Sequence, residues 1–195
     1  LDQPGFGLSA KPTLEEFSYL PRDQADLLDE LFEHLNLNNV TIVVHDWGGP
    51  IGLAVASRHP DRISNLLITN TLAWSVSPEE PGEFHRTLYW ANSANANASM
   101  LADNCIIPLF ISEEIARAYA TPGDELFERV KKTNLAPWFF PNTTTPRVPH
   151  ACHPPVIMAQ SITGDAAFLD EVEVGLTTLK DKPYAMVIGQ AGHLF

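Results

Sequence analysis

Val40-Thr41-Ile42-Val43-Val44-His45-Asp46-Trp47-Gly48-Gly49-Pro50 is the stretch that decides the fold. Apolar residues run from Val40 to Val44, stop at a charged residue and two glycines, and give way to a helical pattern from Pro50 to His59. Such a run predicts a buried parallel strand, apolar on both faces. A sharp turn then presents one side chain ahead of a helix N-terminus. The residue at that tip is Asp46. Its carboxyl, with an unperturbed pKa of about 3.9, is already ionised at neutral pH and needs no base to activate it. Equally, an Asp before a helix is a favoured N-cap and two glycines make a tight turn, so the local pattern alone leaves nucleophile and cap level.

Outward from this stretch the chain alternates. Residues Asp23 to Leu35 place Ala25, Leu28, Leu31, Phe32 and Leu35 at helical spacing, and Asn36 to Asn39 end the helix. Pro60-Asp61 closes the helix after Asp46, and Ile63 to Thr71 reads as a second strand. Strand, helix and strand make a βαβ unit with a right-handed crossover. After Trp74 the pattern changes to an acidic loop over Ser77 to Gly82, then helical stretches over Phe84 to Leu109, Ser112 to Ala120 and Asp124 to Lys132. Residues 133–155 are rich in Pro, Thr and Asn, Val156 to Leu169 returns to helix, and Tyr184 to Gly189 reads as a strand. The expected division is a core of residues 1–74 and 175–195 with a helical cap over 75–174.

Composition narrows the function. Twelve Lys and Arg against 24 Asp and Glu leave a formal charge of −12, which disfavours a nucleic-acid surface and docking on anionic lipid. With 45% hydrophobic residues the chain can bury a core. Cys105 and Cys152 allow at most one disulfide, which points to a reduced, cytoplasmic setting. No apolar run approaches the ~18 residues of a membrane span. His150, Cys152 and His153 match no zinc spacing, and the prolines beside them favour a loop.

Two distant stretches add to the turn at Asp46: Asp2-Gln3-Pro4-Gly5-Phe6-Gly7-Leu8-Ser9-Ala10-Lys11-Pro12 and Ala191-Gly192-His193-Leu194-Phe195. With His45-Asp46-Trp47-Gly48-Gly49-Pro50-Ile51-Gly52 and Asn70-Thr71 they resemble the haloalkane dehalogenases of the α/β-hydrolase superfamily, over the first 75 residues and again from about Gly175. The resemblance implies an α/β-hydrolase fold, a mostly parallel sheet flanked by helices, with a helical cap inserted. It further implies Asp46 as nucleophile, His193 as general base and Trp47 as halide ligand, with no metal or organic cofactor. A small halogenated or epoxide-type substrate and water would be the partners.

The chain departs from the family at three places. Val44 stands where many relatives carry Gly, and its branched side chain crowds the turn. Relatives carry an oxyanion-hole segment well before the Pro-Gly-Phe-Gly turn, and this sequence begins at that turn, so the segment is expected to be absent from it. No acid recommends itself as the partner of His193, because position 70 is Asn and Gly189 is followed at once by Gln190-Ala191-Gly192. The expectation is therefore a chain truncated at its N-terminus and near its C-terminus, with low activity. Epoxide hydrolase is the nearest rival, with Tyr89 and Tyr119 in the cap as proton donors. A β-lactone decarboxylase and a non-catalytic remnant stand further off. A serine esterase is disfavoured, because Gly-x-Ser-x-Gly does not occur.

Overall fold

The computed structural model describes residues 1–76, 112–135 and 153–189. They fall into two compact units, Leu1–Tyr19 with Trp90–Ala159 and Leu20–Tyr89 with Gln160–Phe195. The second unit carries the sheet. Helix α1 (Pro21–His34) leads to β1 (Val40–Asp46), α2 (Gly48–Arg58), a 3-10 turn at Pro60–Arg62 and β2 (Ile63–Thr71). In the first unit α3 (Glu113–Arg117) and α4 (Glu125–Leu135) are joined by the Lys131–Glu113 ion pair at 2.5 Å. Helix α5 (His153–Gly164) comes next in the chain. Helix α6 (Ala166–Gly175), a 3-10 turn at Leu176–Leu179 and β3 (Tyr184–Val187) complete the second unit.

The three strands are parallel in the order β1-β2-β3, so β2 is central. Helix α2 is apolar almost all round because it is almost wholly buried, with Ile51, Leu53, Val55 and Ala56 inaccessible to solvent. Each large side chain of this kind contributes roughly 1.5–3 kcal/mol. Gly52 lets α2 settle on β1: a Cβ there would stand 2.8 Å from Val44 Cγ1 and 3.6 Å from Ile42 Cγ2. Gly175 of α6 approaches Ser57 of α2 as closely, with Oγ 2.7 Å from the position of a Cβ.

Polar side chains fasten α1 to the end of α2. Arg58 pairs with Asp26 at 2.9 Å, His59 Nε2 meets Asp29 at 2.6 Å, and the His59 ring stacks on Phe32 at 5.2 Å between centroids. Arg22 ties α1 to α6 through Glu171 at 2.7 Å and lies over the Phe168 ring.

Two expectations are corrected. Strand β1 is not buried on both faces: Val44 is 3% exposed but Val43 is 64% exposed, because α2 covers the side of Ile42 and Val44 while Thr41, Val43 and His45 project from the other. The apolar stretch from Val156 to Leu169 is two helices, broken between Gly164 and Ala166, where Asp165 leaves helical geometry at φ −127° and ψ 50°. The expected loop over Ser77 to Gly82 and helix over Phe84 to Leu109 lie outside the described residues.

Candidate active site

Asp46 closes β1 with φ +48°, in the left-handed region that an L side chain occupies only when its surroundings hold it there. Helix α2 starts immediately afterwards, and its capping position is Trp47, at φ −62° and ψ −19°, whose own side chain makes no capping hydrogen bond. The Asp46 carboxyl therefore stands one residue upstream of the cap and does not serve as one. A strained residue between strand and helix is the backbone shape that lifts a side chain clear of the turn.

The turn is braced from β2. Pairing runs in register from Thr41↔Asn65 to His45↔Thr69 and then skips a residue, so that Asp46 faces Thr71. Asn70 is the bulged residue, itself at φ +26°. The skip brings the Thr71 hydroxyl to the backbone carbonyl of Asp46, which accepts at 2.5 Å. Space for that hydroxyl comes from Gly49, where a Cβ would sit 1.7 Å from Thr71 Oγ1. Val44, expected to crowd the turn, is accommodated because Gly52 has no side chain opposite it. Gly49→Ala should accordingly destabilise the chain by about 1–3 kcal/mol, the usual penalty for overpacking. Urea unfolding checks this: an unchanged midpoint would mean that Thr71 gives way at no cost.

The Asp46 carboxyl is half-buried, and burial raises its pKa above the ordinary aspartate value. The backbone N–H of Trp47, donating to it, and the nearby His45 pull the other way. A carboxylate short of water is a stronger nucleophile than one in bulk solvent. His45 is exposed and fixed at the rim, its Nδ1 3.2 Å from the Thr69 carbonyl and 3.3 Å from Thr69 Oγ1. Since Thr69 Oγ1 donates to the Val44 carbonyl at 2.9 Å, its lone pairs remain to accept from His45. Trp47 is half-buried, directly beside Asp46.

His193 lies outside the described residues, as do Tyr89, Trp90 and Trp138. Trp74 is 51% exposed and Tyr119 69% exposed. Asn70-Thr71 stands out in the sequence, but the bulge at Asn70 and the brace from the Thr71 hydroxyl do not.

Residues 1–109 match the α/β-hydrolase fold family, and the chain belongs to it. It is 33% identical over 146 residues to a cis-3-alkyl-4-alkyloxetan-2-one decarboxylase of Xanthomonas campestris, covering 66% of this chain and 47% of that protein. It is 40% identical over 85 residues to a haloalkane dehalogenase of Mycolicibacterium paratuberculosis, covering 43% and 28%. The crystal structure of the haloalkane dehalogenase DatA from Agrobacterium tumefaciens C58 superimposes with a TM-score of 0.70 at 24% identity, covering 99% of this chain and 62% of that one. The likeness places the described strands and helices within the α/β-hydrolase fold, of which this chain spans a part. Among the described residues no helix is long and apolar enough to cross a membrane.

Proposed function

We propose that the chain carries the nucleophilic half of a haloalkane dehalogenase-like hydrolase, with residues 1–74 and 175–195 as core and 75–174 as cap. Asp46 attacks an sp³ carbon of a small halogenated substrate. A C–O bond to the carboxylate forms as the C–X bond breaks, and halide leaves with the bonding pair. Trp47 supplies an indole N–H to the departing anion. Water, its proton taken by His193, then attacks the ester carbonyl on Asp46, and the oxyanion formed there lies beside the Trp47 backbone N–H. Alcohol departs and the carboxylate returns.

The observation that carries this reading is the backbone of Asp46, held at φ +48° between β1 and α2, one residue ahead of the capping position at Trp47. The mechanism assigns the oxygens. In a single turnover in ¹⁸O-water, the alcohol oxygen comes from Asp46 and the label enters the Asp46 carboxyl. Halide and alcohol should appear in equal amounts from a bromoalkane, with the label recovered in the peptide bearing Asp46. Label in the first-turnover alcohol would mean direct attack by water and would refute the ester.

The longer match to the oxetanone decarboxylase supports a second reading. Asp46 attack at the ring carbon bearing oxygen opens a β-lactone and frees its carboxylate, as it would free a halide. Loss of CO₂ then turns the C–C bonding pair into a C=C bond and expels the Asp46 carboxylate. Alkene and CO₂ from a β-lactone, without halide release from any haloalkane, would favour this reading over the first.

A further inference from the structure

Asn70, one of the two places weighed for the missing acid, is a carboxamide, and the structure assigns this side chain other work. The Gly189 N–H, two residues beyond β3, donates to Asn70 Oδ1 at 2.7 Å, across the C-terminal edge of the sheet. The approach is close on the other side as well: a Cβ at Gly189 would stand 3.2 Å from Asn70 Nδ2. Because β2 is central, its last residues can reach both neighbours. The bulge makes use of this. Asn70, out of register, turns toward the exit of β3, while Thr71, back in register, holds the Asp46 carbonyl on β1. Two successive side chains thus anchor both flanking strand ends to one point of β2.

Gly189 is where the chain sets out toward His193, four residues further on. Four peptide units reach at most ~14 Å, so the anchor at Gly189 sets the origin from which the imidazole must find the Asp46 ester. We infer that Asn70 is a positioning residue: by accepting from the Gly189 N–H it fixes the start of the segment bearing His193 relative to the Thr71-braced Asp46. The inference rests on the reading of Asp46 and His193 proposed above. An acceptor oxygen is the group required, so an aspartate should replace Asn70 and an alanine should not. The first chemical step needs only Asp46 and substrate. Loss of the anchor therefore falls on hydrolysis of the ester.

Two measurements on the full chain test this. Amide exchange should show the Gly189 N–H at least about tenfold less protected in Asn70→Ala than in wild type, with protection restored in Asn70→Asp. Intact-mass time courses with 1-bromobutane should show Asn70→Ala forming its alkyl ester at the wild-type rate and losing it at least about tenfold more slowly, again with recovery in Asn70→Asp. Protection unchanged by the alanine, or ester that forms and hydrolyses as in wild type, overturns the positioning role alone. No ester on any of the three proteins overturns the reading of Asp46, and the positioning role falls with it.

Discussion

Asp46→Asn should abolish turnover, lowering kcat by ~10⁴ or more as removal of a covalent nucleophile does, while leaving the chain at least as stable at neutral pH. The carboxamide matches the carboxyl in shape but cannot form the ester. Its effect on stability has the opposite sign because of where the carboxyl sits. Burial raises the folded-state pKa of Asp46 above 3.8, so across the interval between the unfolded and folded values the native state holds more protons than the unfolded one. Stability therefore falls as pH rises through that interval, and above it the ionised side chain is a standing penalty. The amide carries no such charge, and asparagine tolerates the left-handed conformation at φ +48° better than most residues. Melting curves should show the variant at or above wild type at pH 7, with the difference closing as the pH drops toward 4. The same shift governs catalysis: the reactive form is the carboxylate, so the acid limb of kcat/KM should lie above the ordinary aspartate range. A variant that melts lower than wild type at pH 7 would mean the ionised carboxyl holds the turn together rather than straining it.

How much of this could be read beforehand follows from which forces act locally. Strand β2 was legible end to end, Ile63 to Thr71, because Pro60-Asp61 sets off its start and the apolar run Leu66-Leu67-Ile68 gives way to Thr69-Asn70-Thr71 at its end. Helix α1 was legible within two residues for the same reason. Gly48 and Gly49, expected in the turn at Asp46, open the helix itself. The turn was nonetheless legible as a shape, since an apolar strand that stops at a charged residue and leads at once into an apolar helix needs a sharp turn. What holds the turn was not. The Thr71 hydroxyl and the Asn70 bulge depend on register between strands 25 residues apart in sequence, and a one-residue skip leaves no trace in either strand alone. The bare side of β1 was missed because Val43 and Val44 look alike in sequence, and only the position of α2 tells them apart. The break at Asp165 was missed because apolar residues continue on both sides of it.

His193→Gln divides the reaction at the point where its two halves use different groups. Formation of the ester consumes the Asp46 carboxylate and releases halide without proton transfer, so its rate should stay within about twofold of wild type. Hydrolysis needs a base for water, and glutamine has none; losing general-base catalysis costs roughly 10²–10⁴ in that step. Halide should therefore appear as a burst of one equivalent per chain and then nearly stop. The intact mass should rise by the alkyl group, which digestion locates in the peptide holding Asp46. The burst itself depends on the Asp46 carboxylate, whose pKa burial raises, so it should fail on acidification above the ordinary aspartate range. A variant that turns over steadily, with no accumulating ester, would place the base elsewhere in the chain. The carboxylate at the turn would still be the nucleophile, and the search would move to the other groups that can reach its carbonyl.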